Sequence, residues 1–172
     1  MTQIITVKGN IVQYPSDVIV NAANTSLLGG SGIDGAIHKA AGKKLLFACM
    51  KLGGAKTGQA KMTDAYNITT AQKIIHTVGP VYKGIGAEKA APLLEQCYRN
   101  SLDLAKEYKS ITFPGISTGI YGYPLKDATE IAVKTIQAWL KENKDTSLET
   151  ITLIAFTDEE YETMDEVIND KF

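Results

Sequence analysis

The sequence predicts an α/β fold in which helices cover both faces of a central sheet. Short apolar runs such as VIV (18–20) and II (74–75) are typical of strands that are buried on both faces. Segments with apolar residues at helical spacing alternate with these runs along most of the chain, which indicates a layered α/β architecture. The length of 172 residues suits one domain with a substantial core, so we expect residues 1–172 to form a single domain.

The first half of the chain contains most of the predicted strands. Gly9-Asn10 and Pro15-Ser16 interrupt the apolar pattern as turn residues do, and Gly53-Gly54 ends a helical segment. In order, the predicted elements are strands over Ile4–Lys8 and Asp17–Asn21, a helix from about Gly35 that is interrupted near Gly42 and resumes over Lys43–Leu52, and strands over Ala60–Ala65 and Lys73–Val78.

The second half is predicted to be mainly helical. Proline is tolerated in the first turn of a helix, so helices are expected to begin at Pro92 and Pro124. Buried strands are expected over Ile111–Phe113 and Thr150–Phe156. The acidic run Asp158–Glu160 fits the first turn of a final helix, because carboxylates are favoured at the positive end of the helix dipole.

Composition and charge exclude several classes of protein. Apolar and charged residues make up 44% and 22% of the chain, and the formal net charge of −1 gives no general attraction to nucleic acid or anionic lipid. No apolar run is long enough to cross a membrane, and the first residues do not resemble a signal peptide, so we expect a cytoplasmic protein. Cys49 and Cys97 have no neighbouring Cys or His and are predicted to be ordinary buried thiols.

Two loops rich in small residues follow predicted strands. The first lies between Val20 and the helix expected from Gly35, and it contains several glycines and one carboxylate, Asp34. The second runs from Pro114 to Tyr123. A strand that leads into a glycine-rich loop and then a helix commonly binds an anionic phosphate through backbone N–H groups. Because ligands of α/β sheets bind beyond the carboxyl ends of the strands, the two loops are expected to flank one cleft.

Several interpretations of the first loop compete on the residues alone. Residues 30–35, GSGIDG, fit the G-x-G-x-x-G dinucleotide fingerprint, but the loop starts well after the strand and no suitably spaced acidic residue follows it. A P-loop is excluded because neither this loop nor residues 53–61 contain Gly-Lys-Ser/Thr. In a purely structural interpretation, Asp34 is the N-cap of the following helix and the glycines form a flexible turn.

Three sequence blocks in order resemble the macrodomain family, specifically its MacroD-type branch: VIVNAANTSLLGGSGIDGAIHKAAG (18–42), IIHTVGP (74–80) and GISTGIYGYP (115–124). The resemblance runs from about Val7 to the final helix. It implies a three-layer α/β/α sandwich with a mixed, largely parallel central sheet. It also implies ADP-ribose as the ligand and no cofactor. MacroD-type members hydrolyse O-acetyl-ADP-ribose and remove mono-ADP-ribose from acidic protein side chains.

The resemblance also implies roles for individual side chains. Asn24 would hydrogen-bond the distal ribose, Tyr121 would pack on that ribose, and the two loops would donate backbone N–H groups to the diphosphate. Phe156 would stack on adenine, although a phenylalanine at a strand end is commonly plain core, and that alternative remains open. Asp34 matches the catalytic acid of the family. A carboxylate beside a diphosphate has a raised pKa, which suits a base or a water-positioning group, and a capping role is compatible with this.

The residues that the resemblance assigns to the site fall into two groups. The catalytic pair is Asn24 and Asp34. The substrate-binding residues are Asn10, Ile11, Ala22, Gly29, Gly30, Ser31, Gly32, Ile33, Ser117, Thr118, Gly119, Ile120, Tyr121 and Phe156. No metal site is expected, because the additional Cys/His ligands of zinc-containing relatives are not found. His38 and His76 are expected to lie in the core or in hydrogen bonds behind the site.

Two positions depart from the usual pattern of the family. Relatives usually read Gly-Asp-Ile after the first strand, where the Asp accepts a hydrogen bond from the adenine amino group, whereas this chain has Asn10. Loss of charge assistance at Asn10 would cost on the order of 1 kcal/mol of adenine discrimination. Ser31, where many relatives have glycine, costs little unless its φ must be positive. Adenine selectivity is therefore less firmly implied than phosphate binding.

The sequence thus predicts a hydrolase of ADP-ribose esters, acting on O-acetyl-ADP-ribose, on mono-ADP-ribosylated Asp and Glu side chains of proteins, or on both. The alternative from a different class is a reader that binds ADP-ribose without turnover. Neither a membrane nor nucleic acid is an expected partner, since the chain has no stripe of Lys and Arg. A monomer is expected.

Overall fold

The computed structural model describes residues 1–171, which form six strands and five helices. The strands are β1 (Gln3–Lys8), β2 (Val18–Ala23), β3 (Ala60–Asp64), β4 (Lys73–Val78), β5 (Ser110–Phe113) and β6 (Thr150–Ala155). The helices are α1 (Gly32–Ala41), α2 (Lys43–Leu52), α3 (Tyr82–Ala105), α4 (Leu125–Glu142) and α5 (Asp158–Lys171). Within this part of the chain, no helix combines the length and apolar composition that crossing a bilayer requires.

The strands form one mixed sheet in the order β1-β6-β5-β2-β4-β3. Every neighbouring pair is parallel except β3 and β4, which are antiparallel. The carboxyl ends of the five parallel strands therefore meet at one edge of the sheet. The loops that follow β1, β2, β5 and β6 leave the sheet at this edge, which places them around a common space.

The side chains of the central strands alternate between two hydrophobic cores. Ile19 of β2 packs in the core formed with α1 and α2, whereas Val18 and Val20 pack in the core formed with α3, α4 and α5. Helices thus cover both faces of a largely parallel sheet, and the predicted three-layer α/β/α sandwich is confirmed. Cys49 and Cys97 are free buried thiols, one in each core, as predicted.

Two helices begin earlier than the sequence predicts. α1 begins at Gly32 instead of about Gly35, because Ser31 already has the extended conformation of an N-cap residue (φ −106°, ψ 178°). α3 begins at Tyr82 instead of Pro92, with a break at Gly86 (φ 79°, ψ 170°), so Pro92 lies inside the helix. The turns before Pro92 are mostly exposed and carry no continuous apolar stripe, and the 3.6-residue pattern therefore did not reveal them.

Candidate functional site

A cleft of about 930 Å³ opens at the carboxyl edge of the sheet, a size that is ordinary for a small-molecule site. Its walls are formed by residues 9–11 after β1, residues 22–24 at the end of β2, residues 30–34 at the start of α1, and the loop 115–121 after β5. Phe156, directly after β6, completes the lining at one end. The two small-residue loops that were predicted to flank one cleft do so.

The predicted site residues all line this cleft, with the exception of Gly29. Gly29 lies just outside the lining, where its carbonyl oxygen accepts a hydrogen bond from Asn24 Nδ2 at 3.0 Å. The cleft also contains residues that were not singled out from the sequence: Gly9, Ala23, Ala36, Gly79, Gly115, Leu125, Ile154, Glu159 and Glu160. Most of them are small or apolar residues at element ends, which give no chemical signal in a sequence.

Asp34 lies in the first turn of α1 at the floor of the cleft and is only 5% exposed. Its Oδ1 accepts a hydrogen bond from Asn21 Nδ2 at 2.8 Å and lies 3.6 Å from His38 Nε2. A Cβ atom placed on Gly30 would lie 3.1 Å from Oδ2, so this second oxygen faces the loop that lines the cleft. Burial raises the pKa of the Asp34 carboxyl group, and the Asn21 hydrogen bond and the nearby His38 offset only part of this effect.

The interpretation of Asp34 as the N-cap of the helix is wrong. Ser31 occupies the cap position, and neither it nor another side chain makes a capping hydrogen bond to the helix. Asp34 is the third residue of α1, and its side chain points back to β2 instead of toward the free amides of its own helix. The carboxylate is therefore held by tertiary contacts. Its pKa is raised as predicted, but burial causes the shift, whereas the prediction rested on the charge of a bound diphosphate.

Asn24 organises the first loop. Its Nδ2 binds the Gly29 carbonyl oxygen at 3.0 Å, while its Oδ1 accepts from the Ser26 backbone at 3.1 Å and from the Ser26 hydroxyl at 2.6 Å. The loop then lies against α1, and a Cβ atom on Gly35 would come within 2.5 Å of the Gly30 carbonyl oxygen. Only glycine permits this close approach.

Backbone N–H groups without a partner are concentrated in both loops. Those of residues 30–31 and 117–121 have no acceptor in the part of the chain that the structure describes, and the first turn of a helix lacks intrahelical acceptors by its geometry. Ser117 has a φ of 66°, which is uncommon for a residue other than glycine and is typical of functional turns. Gly79 makes room for this turn, because a Cβ atom there would lie 2.2 Å from Ser117 Oγ. The cleft thus offers the donors that a diphosphate needs.

The end of the cleft beside β6 carries an aromatic side chain. Phe156 is 68% exposed, so the alternative that it is plain core is wrong. Asn10 lies at the same sheet edge, and its Oδ1 already accepts a hydrogen bond from the Val12 backbone at 3.0 Å. The side-chain oxygen of Asn10 is therefore partly committed to a turn. Glu159 and Glu160 of α5 also line the cleft, which adds carboxylate acceptors to its surface.

A buried cluster of potential metal ligands lies behind Asp34. One ligand atom each from His38, Cys49 and His76 lie within 4.8 Å of one another. Both ring nitrogens of His76 are already engaged, Nδ1 with Asn21 at 3.1 Å and Nε2 with Thr63 at 2.9 Å. Burial lowers the pKa of His76 to about 3 and raises that of the Cys49 thiol to about 11. Hydrogen bonds to Asn21 and Thr63 account for the buried His76 ring, whereas Nε2 of His38 is buried without a hydrogen-bond partner in the described chain. Both histidines lie behind the site, in line with the expectation from the sequence.

The Macro domain family profile matches residues 20–132. A macro domain-containing protein of Chlorobaculum tepidum is 52% identical over 154 residues, which cover 88% of this chain and 87% of the relative. The Xenopus laevis protein named ADP-ribose glycohydrolase MACROD2 is 45% identical over 167 residues, which cover 96% of this chain and 40% of that longer protein.

Solved structures show the same similarity in three dimensions. A mutant macrodomain of Oceanobacillus iheyensis, solved with ADPR (ADP-ribose), superposes with a TM-score of 0.91 at 39% sequence identity. The superposition covers 99% of this chain and 94% of the other.

Proposed function

Because this chain belongs to the macrodomain family, we propose that it binds ADP-ribose in the cleft and hydrolyses ADP-ribose esters. The substrates would be O-acetyl-ADP-ribose, mono-ADP-ribosylated Asp and Glu side chains of proteins, or both. The observation that carries the proposal is the position of Asp34, which is a nearly buried carboxylate at the floor of a cleft lined by unpartnered backbone donors.

The parts of ADP-ribose would occupy the cleft in a definite order. The diphosphate would accept hydrogen bonds from the amides of residues 30–31 and 117–121, which need no cationic side chain. The adenine would stack on Phe156, since an exposed aromatic ring at the edge of a cleft offers a face to a base. The distal ribose would then lie toward Asn24, Asp34 and Tyr121, at the other end of the phosphate loops.

In the hydrolytic step, Asp34 would act through Oδ2, the oxygen that lies beside Gly30 of the cleft wall. This oxygen would orient a water molecule and accept its proton while the water oxygen forms a bond to the ester carbon. The bond from that carbon to the ribose oxygen then breaks, and the ribose oxygen takes the proton that Asp34 accepted, which regenerates the carboxylate and releases a carboxylic acid and a ribose hydroxyl. The raised pKa of Asp34 makes it a better base than an exposed carboxylate. His38, whose Nε2 lies 3.6 Å from Oδ1, favours the ionised form of the Asp34 carboxyl group and lowers its pKa.

The test is the Asp34→Ala variant compared with the natural sequence. We expect turnover of O-acetyl-ADP-ribose, or of a protein mono-ADP-ribosylated on Glu, to fall at least ~100-fold, the usual contribution of a general base. The Kd for ADP-ribose, measured by calorimetry, should stay within a few-fold or improve, because a carboxylate near the diphosphate is removed. Tight ADP-ribose binding by the natural sequence without release of acetate or ADP-ribose would instead identify a reader.

A further inference from the structure

Asn21 is a fully buried amide at the centre of the sheet. It lies on β2 directly opposite His76 of β4, in register. Its Nδ2 atom makes two contacts, to Asp34 Oδ1 at 2.8 Å and to His76 Nδ1 at 3.1 Å. An amide nitrogen carries two hydrogens, so both are used, and Nδ1 of His76 must be an unprotonated acceptor.

The tautomer of His76 follows from its second contact. With Nδ1 unprotonated, a neutral ring carries its hydrogen on Nε2, which lies 2.9 Å from Thr63 Oγ1 of β3. The Thr63 hydroxyl donates its own hydrogen to the Asp64 carbonyl oxygen at 3.0 Å, so its oxygen is free to accept. The pKa of His76 is lowered to about 3 by burial, which keeps the ring neutral at any pH at which the protein is expected to work.

The orientation of the Asn21 amide depends on this chain. Its Oδ1 is buried and has no hydrogen-bond partner in residues 1–171, so the present orientation carries a cost. The reversed amide would bring Oδ1 against the Asp34 carboxylate and against the lone pair of His76 Nδ1, which is repulsive on both sides. The Nε2–H tautomer, in which the ring donates to Thr63, therefore matches the amide orientation that directs one Asn21 N–H group at Asp34 and the other at His76.

We infer that Thr63, His76 and Asn21 form a buried relay of hydrogen bonds that positions Asp34, anchoring Oδ1 so that Oδ2 stays beside Gly30 in the cleft wall. This inference rests on the proposed function in one respect, that the orientation of Asp34 matters for turnover. Thr63 does not line the cleft, and its strand β3 is separated by β4 from β2, the strand that carries Asn21. It is therefore a positioning residue, and its replacement removes no side chain that lines the cleft.

The test compares Thr63→Val, which removes the hydroxyl at nearly constant shape, with Thr63→Ser, which retains it. Thr112→Val is the matched control, because Thr112 is also a buried threonine on a central strand, and its hydroxyl has no partner. In Thr63→Val, kcat for an ADP-ribose ester should fall about tenfold, the rate equivalent of one lost hydrogen bond, while the Kd for ADP-ribose stays unchanged. Thr63→Ser should restore kcat, and Thr112→Val should match the natural sequence.

Two NMR measurements test the hydrogen-bond relay without relying on enzymatic turnover. Long-range 15N–1H spectra should show the Nε2–H tautomer of His76 in the natural sequence and in Thr63→Ser, and its loss in Thr63→Val. A 13C titration should show a higher pKa for the Asp34 carboxyl group in Thr63→Val, because the Asn21 hydrogen bond lowers that pKa while His38 remains in place. Thr63→Ala replaces Thr63→Val in all measurements if the latter does not fold.

The outcomes separate the relay from the proposed activity. A natural sequence without turnover would refute the hydrolase, while the two NMR measurements would still decide whether the relay exists. Unchanged His76 tautomer and Asp34 pKa in Thr63→Val would overturn the relay whatever the activity. A lower melting temperature in Thr63→Val with unchanged kcat and Asp34 pKa would assign Thr63 a purely structural role and would also overturn it.

Discussion

Asp34 is a buried carboxyl group with a raised pKa, a combination that lowers the stability of a folded protein when the group is ionised. Its carboxyl group is almost fully buried, and its pKa is raised above the usual value of 3.8, chiefly because burial disfavours the charged form. Asp127 occupies the same position in α4, as the third residue of the helix, but is exposed to solvent. Both carboxylates have the favourable position near a helix N-terminus, but only Asp34 is buried. Comparing the two therefore isolates the free-energy cost of burying a carboxylate.

The pH dependence of stability follows from the direction of the Asp34 shift. A carboxyl group whose folded-state pKa is raised stabilises the fold fully below its unfolded pKa of 3.8, and this contribution is lost as the pH rises through the folded pKa. Above its folded pKa the buried, ionised Asp34 destabilises the fold, and we expect Asp34→Asn to raise the free energy of unfolding at pH 7 by roughly 0.5–2 kcal/mol. The gain should shrink as the pH falls toward 3.8, as measured by urea unfolding of both proteins.

Asp127→Asn is the control and should change stability in the opposite direction. Loss of the favourable interaction between an exposed carboxylate and the helix N-terminus should lower the free energy of unfolding by about 0.3–1 kcal/mol at pH 7. Equal effects of the two substitutions would contradict the assignment of Asp34 as a costly buried charge.

Phe156 allows a second test at the scale of one side chain. Because 68% of its surface is exposed, Phe156→Ala should leave the free energy of unfolding nearly unchanged. Loss of a stacking face should weaken ADP-ribose binding roughly tenfold, given about 1–3 kcal/mol for base stacking on an aromatic ring. Phe47 of α2 is 56% exposed and lies outside the cleft, so Phe47→Ala should leave the Kd unchanged in the same calorimetric titration. Similar losses in both variants would count against stacking on Phe156.

At the scale of secondary structure, the sequence predicted element bounds best where Gly or Pro residues lie directly at the ends of a strand or helix. β4 has the predicted bounds Lys73–Val78, since its segment of apolar and β-branched residues is closed by Gly79-Pro80. α2 also has its predicted bounds Lys43–Leu52, between Gly42 and Gly53. The predicted start of α3 at Pro92 was wrong, because proline is common in a first helical turn and the exposed turns before it have no apolar periodicity.

Only some features of the site could be predicted from the sequence. The two loops, Asp34 and the cleft position of Phe156 followed from loop composition and from the family resemblance. The contact from Asn21 to Asp34 and the link from His76 to Thr63 did not, because they depend on the lateral order of β2, β4 and β3. One signal was available: a polar amide within a strand buried on both faces requires a partner, and Asn21 is such a residue.

At the scale of the whole molecule, the electrostatics are unusual for a site proposed to bind a diphosphate. The formal net charge is −1, and the cleft of the described chain is lined by three carboxylates, Asp34, Glu159 and Glu160, without a single Lys or Arg. Attraction of the ligand over long distances is therefore absent. Binding must arise from short-range hydrogen bonds to the loop amides and from stacking, which salt screens little.

This charge distribution predicts a ligand affinity that does not weaken as salt is added. Between about 50 and 300 mM NaCl, the calorimetric Kd for ADP-ribose should change less than about threefold, with any trend toward tighter binding, because salt screens the repulsion between the anionic ligand and the carboxylates. A nucleic-acid-binding groove behaves in the opposite way, since each phosphate neutralised by Lys or Arg releases counterions and steepens the loss of affinity. A Kd that rises steeply with salt, or an RNA oligomer that binds in competition with ADP-ribose and dissociates in salt, would show that cationic side chains outside the cleft contribute to binding.

The Glu159→Gln variant should show a smaller change of Kd with salt than the natural sequence in the same titration. Glu159 is an exposed carboxylate of the cleft wall, and its side chain makes no hydrogen bond within the described chain.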